Sequence, residues 1–349
     1  MQQATVQDTV AFLFQWRVEG EKPLKIVLCV NREFEFLCLP QWFAERAAHD
    51  FGVTAVRLDS YDKLDEKIGN ADVLVSWNLR QEQWTKARRL RWIHCPASGA
   101  NRVLCAGVVQ SAVPVTNAAE VHGDAVAEHV LALLLMAARR LDRARDLQNN
   151  RKWSMEELWR AHPHPRLVRG TRVLMVGLGA IGSRVAEYCA ALGMHVVGVR
   201  QDASKSVAGV ERVVSFAEFD EALGESEFVV LAVPTTPQTY RMMDARRLGL
   251  MKEGSWLINV GRGALVDEGA LLEGLQKGRP GGAALDVFDR EPLPENSPLW
   301  NADNVIITPH EGGFHEQLWE QHYAIFSENL RRFLAGEPLR NLVDKHRGY

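Results

Sequence analysis

The chain has 349 residues, of which 46% are hydrophobic and 24% charged, and its formal net charge is −3 at pH 7. This length predicts two compact domains. The slightly acidic balance argues against a nucleic-acid-binding or membrane-surface function for the whole chain. The five cysteines form no CxxC pair, which indicates reduced thiols in a cytoplasmic protein. We interpret Cys95 as a buried strand residue.

The segment before Leu24 is predicted to be an N-terminal extension whose purpose the sequence does not reveal. It lacks the basic start and the long apolar core of a secretory signal. The longest apolar run of the chain, at residues 130–138, has about half the length that a membrane span requires. These features predict a soluble protein of the cytoplasm.

Short apolar runs alternate with amphipathic segments from Leu24 onward, and this alternation predicts a parallel sheet with helices on both faces. A long helix is predicted at 124–148, and a segment rich in tryptophan and proline follows it. The predicted strands of this first half are LKIVLCV (24–30), VTAVRL (53–58), DVLVSW (72–77) and LRWIHCP (90–96).

A second alternating series begins after residue 170 and ends in a long amphipathic helix at 315–337. Two doubly wound parallel-sheet domains of the α/β class are therefore predicted, and the crevice between such domains is the expected ligand site. The predicted strands of this second half are RVLMVGL (172–178), HVVGVR (195–200), FVVLAVP (228–234), WLINVG (256–261), GAALDVF (282–288) and NVIITPH (304–310).

A glycine-rich turn, VGLGAIG, follows the first strand of the second series and opens a helix. Gly177 permits a tight turn, Gly179 lets the backbone approach a pyrophosphate, and Gly182 allows close contact between helix and strand. The free N–H groups at the start of the helix then face the phosphates. GxGxxG alone is common, but its place in a strand–turn–helix unit predicts a dinucleotide site.

The residue at the end of the next strand, HVVGVR, decides which dinucleotide is expected. An Asp or Glu there would bind the adenosine ribose, but this chain has Arg200. A guanidinium can instead donate charge-assisted hydrogen bonds to a 2′-phosphate, and Ser204 and Lys205 on the following loop could close around the same group. The sequence therefore predicts a preference for NADP(H), with NAD(H) possible. Asp202 stays an open alternative, because it could still bind the ribose of NAD.

Three further motifs each end a predicted strand and continue into a loop. They are INVGRGALVDEGAL (258–271), GAALDVFDREPLP (282–294) and ITPHEGG (307–313). Catalytic groups in open α/β sheets gather at such carboxyl ends. An arginine, a glutamate and a histidine placed there can together hold an acidic substrate and transfer a proton. Any one of them alone would be interpreted as a surface residue, but all three at successive strand ends indicate an active site.

With these motifs in this order and spacing, the chain resembles the D-isomer-specific 2-hydroxyacid dehydrogenase family from about residue 70 to the C-terminus. The resemblance implies that Arg262 binds the carboxylate and keto oxygen of the substrate. It also implies that His310 is the acid/base and that Glu291 is its partner. Asp286 is expected to face the nicotinamide carboxamide.

The resemblance extends to a substrate loop and to the domain organisation. The loop PASGANR (96–102) is similar to the family's carboxylate-binding loop, which implies that the N–H groups around Ser98 and Gly99 bind substrate. The family's organisation implies a discontinuous, flavodoxin-like substrate domain at 1–117 and 313–349 and a Rossmann cofactor domain at 118–312.

The family also forms dimers through its cofactor domains, so a homodimer is expected, with the apolar helix 124–148 in its interface. Trp153 is a candidate for reaching the pocket of a neighbouring subunit, as a tryptophan does in relatives. The HPHP segment (162–165) is predicted to be a loop, and no metal is expected. The residues expected to bind the cofactor are Gly177, Gly179, Ala180, Ile181, Gly182, Arg200, Ser204, Lys205, Val233, Pro234, Thr239, Val260, Gly261, Arg262, Asp286, His310, Gly312 and Gly313.

The segments REPLPENSPLW and NLVDKHRGY are most similar to the glyoxylate/hydroxypyruvate reductase branch. The resulting hypothesis is reduction of a small 2-keto acid to the D-2-hydroxy acid with NADPH. Arg262 offers a planar fork for the oxygens of the acid and would stabilise negative charge on the carbonyl oxygen. His310 would donate the proton near neutral pH, and a carboxylate at Glu291 would favour its imidazolium form.

Two departures from the family pattern and two alternative functions stay open. Asn101 stands where the substrate loop usually carries Asp, and Glu311 follows His310 where a small or apolar residue is usual. A nucleotide-sensing corepressor or scaffold on the same fold, with little turnover, is one alternative function. A formate-dehydrogenase-like function is weaker, because that branch has glutamine at the position of Glu291.

Overall fold

The computed structural model describes residues 23–31 and 34–348, so the N-terminal extension up to residue 22 lies outside the described residues. The chain divides into two compact units. The first is formed by Met1–Val121 and Glu316–Tyr349, and the second by His122–His315. The chain thus passes between units a few residues beyond the crossings predicted near 118 and 312.

The first unit is built on a five-stranded sheet in the order β2-β1-β3-β4-β5, with all paired strands parallel. This is the flavodoxin-like order. The strand β5 was not predicted from the sequence. The strands are β1 (Lys25–Cys29), β2 (Thr54–Arg57), β3 (Val73–Ser76), β4 (Trp92–Cys95) and β5 (Val115–Asn117). The helices are α1 (Gln41–Phe51), α2 (Leu64–Lys67), α3 (Gln81–Trp84), α4 (Ala106–Gln110) and the C-terminal α12 (Leu318–Ala335), with 3₁₀ turns at Glu35–Leu37 and Ile68–Asn70.

The helix α12 completes the core of the first unit, which explains why a C-terminal segment belongs to an N-terminal sheet. Its apolar face, spaced at three and four residues, buries Tyr323, Phe326 and Leu330. The ring of Phe326 stacks on Trp92 of β4 with centroids 5.7 Å apart. The helix ends at Gly336, whose left-handed φ of 68° suits a glycine C-cap.

The second unit is built on a seven-stranded parallel sheet in the order β12-β11-β10-β9-β6-β7-β8. Counted within the unit, this is the Rossmann order with one added strand. The predicted fold class, two doubly wound parallel-sheet domains, is confirmed. The strands are β6 (Arg172–Val176), β7 (His195–Val199), β8 (Arg212–Val214), β9 (Phe228–Leu231), β10 (Trp256–Asn259), β11 (Gly282–Leu285) and β12 (Val305–Ile307). The helices are α5 (Gly123–Arg139), α6 (Leu141–Asn149), α7 (Met155–Arg160), α8 (Ala180–Ala191), α9 (Phe219–Glu225), α10 (Ala245–Leu250) and α11 (Glu268–Gln276), with 3₁₀ turns at Gly263–Leu265 and Pro298–Asn301.

The prediction of one continuous helix at 124–148 is wrong, because Arg140 separates α5 from α6. Arg140 has a left-handed backbone with φ 52° and a fully buried side chain. Its guanidinium donates to both carboxylate oxygens of Asp142, to the carbonyl of Pro163 and to Asn304 Oδ1, at 2.8–3.1 Å. These four bonds satisfy a buried charge and offset the cost of the turn.

The apolar face of α5 packs largely within its own unit. Val126, Val130, Leu133 and Leu134 are buried in the core of their own unit, against residues of α8 and of the sheet. Many of the apolar side chains of α5, which led to the prediction of a subunit interface, therefore pack inside their own unit.

The structure also describes Cys95, the HPHP segment and the longest helices. Cys95 lies in β4 and is buried, and burial raises the pKa of its thiol to about 12. The HPHP segment (162–165) is a loop, as predicted. Within residues 23–31 and 34–348, no group of three or more potential metal ligands occurs. None of the helices in this part of the chain is both long and apolar enough to cross a membrane.

Candidate active site

Three neighbouring strands of the second unit bring the predicted catalytic residues to one edge of the sheet. Arg262 follows β10, Glu291 lies in the loop after β11, and His310 follows β12. The three strands are adjacent and parallel, in the order β12-β11-β10. Their carboxyl ends therefore meet at the same edge, which is where open α/β sheets bind ligands.

Glu291 and His310 form a hydrogen-bonded pair. Nδ1 of His310 lies 2.7 Å from Oε2 of Glu291, and Oε1 of Glu291 accepts the backbone N–H of Phe288 at 3.1 Å. Burial acts to raise the pKa of Glu291, but the bonds from His310 and Phe288 and the charges of His310 and Arg262 outweigh it. The pKa is lowered as a result. The pair thus combines a carboxylate with an imidazole whose Nε2 is directed away from that carboxylate.

Arg262 lies in a loop that a buried asparagine shapes. Asn259, the last residue of β10, donates from Nδ2 to the carbonyl of Arg262 at 2.9 Å and accepts the N–H of Gly261 at 3.1 Å. Nη1 of Arg262 donates to the carbonyl of Gly261 at 2.6 Å. Partial removal from water lowers the pKa of Arg262, and the charge of Glu291 opposes this shift. Arginine nevertheless stays cationic at neutral pH, so the loop presents a fixed positive charge.

Asp286, directly after β11, is buried and accepts several hydrogen bonds. Its Oδ1 accepts the hydroxyl of Thr308 at 2.7 Å and the N–H of Glu311 at 3.0 Å, and its Oδ2 accepts the N–H of Gly312 at 3.1 Å. Burial would raise the pKa of Asp286, but the bonds from His129, Thr308 and the two amides outweigh it and lower the pKa. In this structure both oxygens of Asp286 therefore accept from protein groups.

Sequence reasoning missed the residues that hold this site together, namely Asn259, Thr308 and His129. The first two lie inside the motifs INVGRG and ITPHEGG, where the arginine and histidine drew attention instead. Nε2 of His129, on α5, lies 3.1 Å from Oγ1 of Thr308, and 179 residues separate the two along the chain. No spacing rule connects positions so far apart.

The glycine-rich turn between β6 and α8 has the shape that a dinucleotide requires. A Cβ atom at Gly177, whose φ is 95°, would lie 2.6 Å from Val233 and 2.7 Å from the carbonyl of Ala232. A Cβ at Gly182 would lie 1.9 Å from the carbonyl of Gly177. By contrast, a Cβ at Gly179 would meet nothing within 4 Å. Two glycines thus serve close packing, and the third leaves open space that a pyrophosphate could approach.

The N-terminus of α8 supplies donors to that open space. The N–H of Ser183 bonds to the carbonyl of Gly179 at 2.9 Å and begins the helical pattern. The N–H groups of Ala180, Ile181 and Gly182 have no acceptor among the described residues. Free amides at the positive end of a helix dipole favour an anion. The residues present therefore fit the phosphates of a dinucleotide.

The predicted 2′-phosphate site lies at the end of β7. Arg200 follows that strand directly, and its N–H bonds to the carbonyl of Val214 on β8 at 3.2 Å. Asp202, the alternative ribose ligand, accepts the N–H and the hydroxyl of Ser204 at 3.2 and 2.5 Å. Nζ of Lys205 lies 3.7 Å from the same carboxylate. Ser204 and Lys205 therefore contact the carboxylate of Asp202, the alternative ribose ligand, in this structure.

The other predicted cofactor residues lie in loops at the same edge of the sheet. Thr239 is buried, and its hydroxyl donates to the carbonyl of Pro234 and accepts the N–H of Thr236, both at 2.7 Å. These bonds define the loop after β9. The remaining residues of this group are Val233 after β9, Val260 and Gly261 after β10, and Gly312 and Gly313 after β12.

The predicted substrate loop belongs to the first unit and follows β4. The amide of Asn117 donates to the carbonyl of Ser98 at 2.9 Å, and the N–H of Ala118 bonds to the carbonyl of Ala97 at 3.0 Å. These bonds fix the carbonyl side of the loop. The N–H groups of Ser98 and Gly99 donate to no group in the described part of the chain. They are available for an anionic ligand.

Comparison with known proteins agrees with this geometry. The NAD binding domain of the D-isomer specific 2-hydroxyacid dehydrogenases matches residues 131–312. Glyoxylate reductase of Pyrococcus furiosus is 34% identical over 291 residues, which cover 81% of this chain and 85% of the relative. The chain therefore belongs to the D-isomer specific 2-hydroxyacid dehydrogenase family, and the predicted family is confirmed.

Two further relatives add detail. D-3-phosphoglycerate dehydrogenase of Methanocaldococcus jannaschii is 32% identical over 286 residues, which cover 81% of this chain but 53% of the relative, so the chain spans about half of that protein. The crystal structure of an NADPH-dependent glyoxylate/hydroxypyruvate reductase from Sinorhizobium meliloti, in complex with NADP and sulfate, is 25% identical with a TM-score of 0.78. That match covers 93% of this chain and 100% of the other. These matches agree with the predicted glyoxylate reductase branch.

Proposed function

We propose that the protein reduces a small 2-keto acid, such as glyoxylate or hydroxypyruvate, to the D-2-hydroxy acid with NADPH. The observation that carries the proposal is the 2.7 Å pair of Glu291 and His310 at the same sheet edge as Arg262. Reduction of a keto acid needs a cation that binds the acid. It also needs a proton donor, and an imidazole held by a carboxylate can be that donor.

Arg262 binds and polarises the substrate in this proposal. Its guanidinium can donate two parallel hydrogen bonds to the oxygens of an α-keto acid. As the carbonyl carbon is reduced, negative charge develops on its oxygen, and a fixed cation stabilises that charge without reorganising. The loop held by Asn259 keeps the cation in place.

His310 supplies the proton to the developing alkoxide. Its Nδ1 is bonded to Glu291, so Nε2 is the atom from which the proton leaves. The carboxylate of Glu291 contacts Nδ1 and fixes the orientation of the ring. In the reverse reaction the same nitrogen accepts the proton.

The second unit is proposed to be the cofactor domain, and the glycine-rich turn and the amides of 180–182 would hold the pyrophosphate. The bound reduced nicotinamide supplies the hydride. Arg200 would bind a 2′-phosphate, which favours NADPH over NADH. The charge of Arg200 at the strand end and the NADP complex of the Sinorhizobium meliloti relative support this preference.

The first unit is proposed to be the substrate domain. The free N–H groups of Ser98 and Gly99 suit a carboxylate, and Asn101 in the same loop replaces the usual aspartate. The name of the Pyrococcus furiosus relative supports a small keto acid as substrate.

An assay with purified protein tests the proposal. Glyoxylate, hydroxypyruvate and pyruvate are each offered with NADPH and with NADH, and oxidation of the cofactor is followed by absorbance. We expect turnover of at least one acid and a higher kcat/KM with NADPH. Cofactor binding by calorimetry without turnover of any acid would instead favour the corepressor or scaffold alternative.

We also propose a homodimer formed through the second unit. The main support is a run of exposed apolar residues after α6, where Trp153 is 93%, Met155 76% and Trp159 73% exposed. Large apolar side chains left in water favour association. This segment replaces the apolar face of α5 as the expected interface, because that face is largely buried in its own unit.

A further inference from the structure

The segment that carries His310 is anchored to Asp286. The N–H groups of Glu311 and Gly312, the two residues directly after His310, both donate to the Asp286 carboxylate at 3.0 and 3.1 Å. A Cβ atom at Gly312 would lie 3.0 Å from Oδ2 of Asp286 and 3.1 Å from the ring of His129. The segment thus packs closely on both Asp286 and His129.

His310 needs such an anchor, because its backbone is strained. Its φ is 55°, in the left-handed region that side-chain-bearing residues adopt at a cost of about 1–2 kcal/mol. Strained residues at active sites persist only when surrounding bonds over-determine them. The two amides bound by Asp286 are such bonds, since they fix the backbone immediately after His310.

The contacts of Asp286 and His129 define the direction of the hydrogen bonds between them. Thr308 has one hydroxyl proton, and its Oγ1 lies 2.7 Å from Oδ1 of Asp286, a carboxylate oxygen that can only accept. Nε2 of His129 lies 3.1 Å from the same hydroxyl oxygen. Because the hydroxyl proton is already donated, Nε2 of His129 must carry a proton and donate it to Thr308. The chain of donation runs from His129 to Thr308 to Asp286.

We propose that His129 is a positioning residue for the reduction, acting through Thr308 and Asp286 to hold His310 where it meets the substrate. In this inference His129 contacts neither the substrate nor Glu291. The inference rests on the proposed function, because its test by kcat requires that the protein reduce a keto acid. Its Nε2 lies 3.5 Å from Oδ1 of Asp286 and so also places a donor beside a buried carboxylate. His129 lies on α5, outside every motif of the candidate active site.

Paired substitutions test the inference. His129→Leu removes the donor, whereas His129→Gln keeps an N–H near the position of Nε2. We expect His129→Leu to lower kcat about 10-fold or more, because small misplacements of a catalytic group are costly, with KM for NADPH nearly unchanged. His129→Gln should recover most of the turnover. The exposed His195, at the start of β7, is the matched control, and His195→Leu should leave kcat unchanged.

Thr308 provides a second pair of variants. Thr308→Val removes the hydroxyl and keeps the shape, whereas Thr308→Ser keeps the hydroxyl. We expect loss of kcat with valine and retention with serine. The double variant His129→Leu/Thr308→Val should be little worse than the poorer single variant, because both break the same chain of bonds. The inference would be overturned if the losses of kcat in the two single variants multiply in the double variant. It would also be overturned if His129→Leu and His129→Gln lose the same amount of kcat.

A measurement on the unmodified, cofactor-free protein keeps the inference testable if a variant does not fold. Nitrogen NMR of labelled histidines should show His129 as the Nε2–H tautomer, and the Nδ1–H tautomer would overturn the inference. In a folded His129→Leu protein, the ring signals of His310 should move, and unmoved signals would contradict the positioning role. If the unmodified protein reduces no keto acid, the proposed function fails. The tautomer of His129 and the ring signals of His310 then test the positioning role without any measurement of activity.

Discussion

His310 Nδ1 lies 2.7 Å from an oxygen of Glu291, although the two residues belong to loops that leave different strands. The contact joins the two residues of the proposed acid/base pair, and it helps to lower the pKa of Glu291 in spite of burial. The bond from His310 stabilises the charged form of Glu291. The pH dependence of turnover should therefore depend on both residues.

Glu291→Gln should move the alkaline limb of the pH–rate profile for reduction toward acid. A carboxylate beside an imidazole favours its protonated form, and the amide of glutamine lacks that charge. The measurement is kcat/KM for the keto acid between about pH 5 and 10. Glu295→Gln, an exposed position on the same loop, is the control. A limb that stays in place would show that Glu291 does not act through His310.

Arg262→Lys should lower kcat/KM for the keto acid on the order of 100-fold, or about 3 kcal/mol of transition-state stabilisation. An ammonium group carries the same charge but cannot donate the two parallel bonds of a guanidinium. NADPH binding, measured by fluorescence titration, should be nearly unchanged. Arg246→Lys on α10, which removes a guanidinium paired with Asp220, controls for the exchange itself. Near-normal turnover by the Arg262→Lys variant would show that Arg262 does not bind the substrate through its guanidinium.

Arg200→Asp should reverse or erase the preference for NADPH. One charge-assisted hydrogen bond is worth roughly 1.5–3 kcal/mol, which corresponds to about 10- to 100-fold in affinity. The preference of the unmodified protein should also shrink as salt rises, because the site is partly exposed to solvent. The measurement is kcat/KM for both cofactors at low and high salt.

The control for this charge reversal is Arg212→Asp, at the start of β8. If the unmodified protein has equal kcat/KM with NADPH and NADH, Asp202 is the residue that binds the adenosine ribose. Asp202 would then have to exchange its bonds to Ser204 for bonds to the ribose.

Asp286→Asn should destabilise the protein by about 1–3 kcal/mol at neutral pH, because the buried carboxylate accepts hydrogen bonds from the partly buried hydroxyl of Thr308 and the buried N–H of Gly312. The pKa of Asp286 is lowered on folding. A lowered carboxyl pKa contributes stability above the unfolded value of about 3.9 and loses it as pH falls through the folded value. The difference in melting temperature between the two proteins should therefore narrow below about pH 4.

The exposed Asp289 on the same loop is the control, and Asp289→Asn should melt like the unmodified protein. A constant difference in melting temperature across the acid range would show that the charge of Asp286 is not the stabilising feature.

Replacing the exposed aromatic residues Trp153 and Trp159 by serine should weaken the proposed homodimer. Both side chains are largely in solvent within one chain, so their removal should lower association without lowering the melting temperature of the monomer. Sedimentation at micromolar concentration measures the effect. Trp300→Ser, an exposed tryptophan elsewhere in the second unit, should leave association unchanged. A stable, active monomer of the unmodified protein would contradict the proposed dimer.

Local pattern along the chain was enough to predict the central strands, the glycine-rich turn and the strand ends where the candidate catalytic residues lie. Apolar runs such as FVVLAVP mark central strands that are buried on both faces, and a turn such as VGLGAIG needs its glycines for close packing. Arg262, Glu291 and His310 could be placed at strand ends, because each directly follows such a run or lies within the loop after it. The strands β5 and β8 were missed, because three residues are too few to show a period. The equally short β12 was found because it lies in the longer run NVIITPH and leads into the motif ITPHEGG.

The features that join distant segments emerged only from the folded structure. The break at Arg140 depends on Pro163 and Asn304, which reach its guanidinium from later loops. The link from His129 to Asp286 through Thr308 joins a helix to the ends of two strands. A hydrogen bond is set by distances in space, whereas periodicity reports only the surroundings of neighbouring residues along the chain. For that reason the motifs predicted the residues of the candidate site, but not the bonds that hold those residues in position.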